Sequence, residues 1–135
     1  MVRRFPPLRQ NAFVVPDLEA ALDHWTRVMN VGPFFVYEHV DYGGVTYRGQ
    51  PTAIDASVAM GWWGDVQIEL IEQHNDAPSI YRDFLRSGRT GLQHMGTYTT
   101  SYPNLRSWES LEAIFSGGGI AGSGTCISRS THLGV

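Results

Sequence analysis

Cysteine is almost missing from this chain: Cys126 stands alone among 135 residues. That excludes a disulfide within the chain and makes a cytoplasmic setting the expectation. Long hydrophobic runs are missing too. The longest uncharged stretch, Ala113 to Ser128, is rich in Gly and Ser and too polar to cross a membrane. Arg3-Arg4 is followed by Pro6-Pro7 and not by an apolar segment, which argues against a signal peptide. Neither sign of charge dominates. The net charge is −3, scattered without a basic stripe or an acidic tail, so nucleic acid is not an expected partner.

What the chain does hold is enough apolar material for one domain, 42% of residues with 12% aromatic. Leu8 to Val15 alternates as a strand, with Gln10, Ala12 and Val14 on one face. Pro16-Asp17 ends it, and Asp17 is placed to cap a helix. That helix carries an apolar stripe of Leu18, Ala21, Leu22, Trp25, Val28 and Met29 and stops at Asn30, Gly32 and Pro33. Phe34 to Tyr42 reads as a strand. Ala53 to Trp63 and Val66 to Gln73 read as a hairpin turning at Gly64-Asp65. A short helix over Pro78 to Leu85 leads to a further strand, Leu92 to Thr99, and to a helix over Asn104 to Phe115. Residues 116–135 hold few strand-forming residues and do not read as further strands.

Two of the apolar stretches resemble one another. Gln10-Asn-Ala-Phe-Val-Val and His94-Met-Gly-Thr-Tyr-Thr both place a ligand-type side chain at the start of a strand. Repetition at this scale points to a repeated structural unit. With Glu69 in Val66-Gln-Ile-Glu-Leu, an amide, a carboxylate and an imidazole become candidates for holding a divalent metal between two half-domains. Taken singly, a Gln or Glu on an amphipathic strand is usually just solvated, and a lone His is often a satisfied core residue.

The stretches Gln10-Asn-Ala-Phe-Val-Val-Pro-Asp-Leu-Glu-Ala-Ala-Leu-Asp-His-Trp, Val66-Gln-Ile-Glu-Leu-Ile-Glu, Ser79-Ile-Tyr-Arg-Asp-Phe-Leu and Gly91-Leu-Gln-His-Met-Gly resemble the glyoxalase/bleomycin-resistance/extradiol-dioxygenase superfamily, the vicinal oxygen chelate proteins. The likeness is to the glyoxalase-like branch that includes methylmalonyl-CoA epimerase. It implies an α+β fold of βαβββ modules: a first module over 8–73, a linking helix and turn over 74–91, and a partial second module over 92–135. It also implies that Gln10, Glu69 and His94 occupy three of four metal-ligand positions, with Mg, Mn, Co, Ni, Zn or Fe as the metal. The spacing from Gln10 to Glu69, repeated from His94, runs past Val135, and no Asp or Glu follows Glu112. The second module therefore reads as incomplete, through divergence, truncation or a shifted frame. Cys126, His132 or a second chain are the candidates for a substitute fourth ligand.

The activity implied is that of a lyase or isomerase acting on a small α-hydroxycarbonyl or thioester substrate through an enolate-type intermediate. The catalytic base is unassigned. The alternatives are a metal-free binding protein of the bleomycin-resistance type and a catalytically impaired remnant. Phe35, Tyr37, Tyr47, Trp62 and Trp63 are candidates for an aromatic pocket, although core packing is the commoner fate of such residues. Arg82, Arg86 and Arg89 are candidates for holding an anion, although a solvated helix face is commoner. One imidazole in the matching positions ranks the dioxygenase branch lower. His24 reads as solvent-facing, and His39 and His74 have no partner legible in the sequence. An open sheet edge suggests a homodimer.

Overall fold

In the computed structural model, residues 7–98 and the backbone of one later strand are described. The elements are β1 (Gln10–Val14), α1 (Leu18–Asp23), β2 (Phe35–Tyr37), β3 (Val45–Tyr47), β4 (Gln50–Thr52), β5 (Ala56–Trp63), β6 (Val66–Gln73), α2 (Ile80–Arg86), β7 (Gly91–Tyr98) and β8 (Thr125–Arg129). The helix predicted over Asn104 to Phe115 lies outside the described residues, as does His132.

Six strands form one mixed sheet in the order β2-β5-β6-β1-β7-β8, and β3-β4 form a separate hairpin. β1 lies inside the large sheet, parallel to β6 and antiparallel to β7. Its alternation is as the sequence predicts: Ala12 and Val14 are fully buried and Gln10 nearly so. One face of the sheet packs Ala12, Val14, Ala56, Val58 and Ile71 under Tyr81 and Phe84 of α2. The other packs Ala59, Ile68 and Leu70 under Leu18, with Ala21, Leu22 and Trp25 of the first helix alongside.

Both helices begin at side-chain caps. Asp17 accepts from the Ala20 amide at 2.8 Å, and Ser79 accepts from the Arg82 amide at 2.9 Å. Glu72 reaches from β6 to accept from the Leu18 amide at 2.7 Å, which ties the start of α1 to the sheet.

The structure corrects the sequence reading in four places. The first helix widens to π geometry over His24–Val28, with the Met29 amide reaching back to the His24 carbonyl. The wider turn rotates the stripe, so Val28 is 69% exposed and Met29 is also exposed. The strand read over Phe34 to Tyr42 is cut to Phe35–Tyr37, because His39 adopts a left-handed backbone, φ 48°. Val45–Tyr47 and Gln50–Thr52 form an unforeseen hairpin. Its Arg48-Gly49 turn has positive φ at both residues, as a two-residue hairpin loop requires. Finally, the stretch 116–135 does contribute a strand, β8, antiparallel to β7.

Leu70 is fully buried between the sheet and α1. Leu70→Ala is expected to cost about 2–5 kcal/mol in urea unfolding, the lost transfer energy plus an incompletely collapsed cavity. A loss below about 1 kcal/mol would show that this layer is loosely packed.

Candidate functional site

Register alone brings the three predicted ligand residues to one face. Ala12 of β1 pairs with Glu69 of β6 on one side and with His94 of β7 on the other. Gln10 is two residues away on the same face, between Gln67 and Gly96. Glu69 and His94 lean together over the small Ala12 side chain, and His94 Nε2 is 3.7 Å from Glu69 Oε2. The His94 side chain is 1% exposed and that of Glu69 13%.

The polar atoms of this group are unevenly satisfied. The Gln10 carboxamide donates through Nε2 to Gln67 Oε1 at 2.9 Å, which leaves its own Oε1 buried with no partner. Between Ala12 and Phe13 the β1–β7 register shifts, with Gln93 as the extra residue, and Gln93 Oε1 lies 2.5 Å from His94 Nδ1. An amide oxygen only accepts, so Nδ1 carries the proton and Nε2 presents a bare lone pair. That Nε2 is buried and unpartnered too. Among the described residues, Asn11 Oδ1 on the opposite face and Arg82 Nε share this state, so burial without a hydrogen bond is not unique to the site. What sets the site apart is that two acceptor atoms and a carboxylate share one face.

Space above β7 is kept open for the Gln10 amide. A Cβ on Gly96 would stand 2.8 Å from Gln10 Oε1 and 3.2 Å from Gln10 Cβ.

Burial sets the electrostatics. The Glu69 carboxyl is pushed up to about 7 from 4.5, and the His94 imidazole is pushed down to about 4 from 6.5, because each charged form is desolvated. Tyr42 and Tyr81, hydrogen-bonded to each other, also lie within the field of Glu69. Burial first and that carboxylate second push Tyr42 up to about 12; burial and both neighbouring groups push Tyr81 well above the usual phenol range. Both phenols therefore stay protonated. Sequence reading missed them. Tyr81 faces the sheet by helical spacing, but nothing local in the sequence ties Tyr42 to Glu69.

The aromatic set does not converge. Phe35, Tyr37 and Trp62 pair with Met60, Val58 and Gln67, on the Glu69 face, and all three are about half exposed or more. Trp63 follows Trp62 on a strand and so takes the opposite face, where it meets Trp25 edge-on with ring centroids 6.0 Å apart. It is not part of a common pocket. Tyr47 belongs to the β3–β4 hairpin and donates to Asp83 at 2.5 Å, beside Arg48. The arginines are also mostly engaged. Arg82 donates to the backbone carbonyl of Asn75 and lies 3.5 Å from Asp76, while Arg89 stacks on Phe84. Cys126 stands in register with Thr97, which belongs to the alternate set of β7 positions from His94.

His24 is exposed, as read. His39 and His74, read as unpartnered, have partners. His39 Nδ1 is 2.7 Å from Asp55 Oδ1, and His74 Nε2 is 2.7 Å from Ser57 Oγ. The Asp55 hydrogen bond and charge hold the His39 imidazole above its usual range. His39, Asp55 and His74 together hold ligand-type atoms all within 4.8 Å of one another, a possible His/Asp/His metal site.

Over residues 9–112 the sequence matches the profile of the Glyoxalase/Bleomycin resistance protein/Dioxygenase superfamily. The chain belongs to this superfamily. A crystal structure of a hypothetical protein, BH1468, from Bacillus halodurans C-125 aligns with a TM-score of 0.50 at 18% identity, over 66% of this chain and 55% of that one. The chain thus spans little more than half the length of that neighbour, and the likeness is one of fold. No curated protein matches the chain. The superfamily's α+β, βαβββ architecture accounts for the mixed sheet with a helix on each face. No described helix is long and apolar enough to cross a membrane.

The two buried groups pull stability in opposite directions with pH. A raised carboxyl pKa means that Glu69 costs stability as pH rises from 4.5 to about 7. A lowered imidazole pKa means that His94 costs stability as pH falls from 6.5 to about 4. In chelator-treated protein, the melting temperature of Glu69→Gln minus that of the wild type is expected to grow as pH goes from about 5 to about 7.5. A difference that stays flat across that range would contradict the burial of an ionisable Glu69.

Proposed function

We propose that this chain holds one divalent metal through Gln10 Oε1, the Glu69 carboxylate and His94 Nε2, and acts as a lyase or isomerase on a small α-hydroxycarbonyl or thioester substrate. The observation that carries this reading is the pair of buried acceptors without partners beside a desolvated carboxylate. Leaving such atoms unsatisfied costs about 1–3 kcal/mol each, and a cation would satisfy all three groups. One imidazole with two oxygen donors suits Mg, Mn, Co, Ni, Zn or Fe.

A divalent ion supplies Lewis-acid polarisation of a substrate carbonyl, which acidifies the neighbouring C–H. The chain's own groups complement that chemistry. Gln93 fixes the His94 tautomer so that the ligating nitrogen is free. Gln67 holds the Gln10 amide by its nitrogen, which leaves the amide oxygen without a donor. Tyr42 and Tyr81 keep their protons at physiological pH, and both lie within the field of Glu69.

Elemental analysis of purified protein is expected to find one divalent metal per chain, lost in Glu69→Ala and His94→Ala. Gly96→Ala, whose methyl would displace the Gln10 amide, is expected to weaken binding about tenfold or more while the chain stays folded. Full metal occupancy in all three variants would remove the basis of the proposal. The alternative, a metal-free binder of the bleomycin-resistance type, draws on the exposed Phe35, Tyr37 and Trp62 of the same face. It predicts metal-free protein whose tryptophan emission is quenched by an aromatic ligand, with the quenching reduced in Trp62→Ala.

A homodimer belongs to the same reading. β2 is an outer strand of the sheet, and Phe35, Val36 and Tyr37 are all exposed on it, an edge that favours pairing with a second chain. Light scattering is expected to give twice the chain mass for the wild type and a shift toward the monomer for Val36→Lys. A monomeric wild type would refute this assembly.

A further inference from the structure

Three chain segments end side by side beyond the β5–β6 hairpin. His39 follows β2, Asp55 precedes β5 and His74 follows β6. The His74 amide donates to the Asp55 carbonyl at 2.8 Å, the His39 amide to Ser57 Oγ at 3.2 Å, and the Val40 amide to the Ala56 carbonyl at 2.9 Å. The two imidazole rings lie with centroids 4.9 Å apart, tilted by 42° to one another. We propose that His39, Asp55 and His74 form a second metal site, for a first-row divalent ion of the zinc type, which staples the ends of β2, β5 and β6 together.

Donor chemistry points to that class of ion. Two imidazoles and one carboxylate suit Zn, Co or Ni, whereas Mg and Ca call for oxygen-rich cages. Geometry agrees. Ligands about 2.1 Å from a tetrahedral ion stand about 3.4 Å apart. The three donors already lie within 4.8 Å of one another, and the two rings, being exposed, can rotate inward. His74 also has an outer partner: its Nδ1 is 3.5 Å from Glu72 Oε1, while Glu72 Oε2 is anchored by the Leu18 amide. A carboxylate on the far nitrogen leaves Nε2 as the ligating atom and orients the ring, an arrangement typical of metal-bound histidines. In the structure that Nε2 meets Ser57 Oγ, a hydroxyl that an entering ion would displace.

An exposed His39–Asp55 ion pair by itself would be a weak surface contact. It does not explain why a second imidazole, from the end of another strand, places a donor atom within 4.8 Å of the same pair. His39 holds this position with a left-handed backbone, φ 48°, in the segment that runs on to Tyr42. The site does not depend on Gln10, Glu69 and His94 holding an ion.

Zn(II) titration of the full chain carrying Glu69→Ala and His94→Ala, followed by calorimetry, separates the two sites. The expected result is one Zn(II) per chain, weakened at least about tenfold by adding His39→Ala or Asp55→Asn, with unchanged circular dichroism. In the wild type, the same Zn(II) addition is expected to shift the imidazole resonances of His39 and His74, a readout that holds even if the double variant does not fold. No shift of those resonances, or Zn(II) affinity untouched by His39→Ala, would overturn the proposal.

Discussion

Everything at the Glu69–His94 site depends on β1 lying between β6 and β7 with a methyl group at position 12. Strands on either side of a central one stand about 10 Å apart, too far for two backbones to present touching side chains directly. Glu69 and His94 reach 3.7 Å only by leaning inward over Ala12, which is fully buried beneath them. A larger residue there would fill the space in which they meet. The same strand carries Gln10 into register with Gly96, where a Cβ would crowd its amide oxygen.

Burial then makes this arrangement uncomfortable for the protein alone. Removing water disfavours the carboxylate and the imidazolium alike, so the pair moves toward its neutral forms and gains little from mutual attraction. Two acceptors are left without donors. Conflicts between local rules and the overall fold tend to collect where a chain has work to do, and here two unpartnered acceptors share a face with a buried carboxylate. On the opposite face, Ile68, Leu70 and Ala59 pack beneath α1.

Periodicity made much of the frame legible. The alternation of β1, the Asp17 cap and the Gly64-Asp65 hairpin were all readable, because each is set by neighbours within a few residues. Features governed by unusual backbone states were not. The π-helical turn at His24–Val28, the left-handed His39 and the bulge at Gln93 each shift a pattern by a residue, and no window of apolar spacing reports them. Trp63 was misplaced for a simpler reason. Two adjacent residues on a strand cannot share a face, and only the pairing register says which of the two belongs with Glu69.

The sequence by itself determined which residue types were available and which local elements they would form: strands that begin with Gln10 or carry Glu69 and His94, a first helix capped by Asp17, and a family resemblance that implies a joint role for these three residues. Tertiary structure alone decided that the carboxylate and the imidazole meet above Ala12, that Tyr42 and Tyr81 lie within the field of Glu69, and that His39, Asp55 and His74 come together. The physical reason is range. Propensity and capping act over a few residues of chain, whereas these meetings depend on strand order and register, which only the packed sheet fixes.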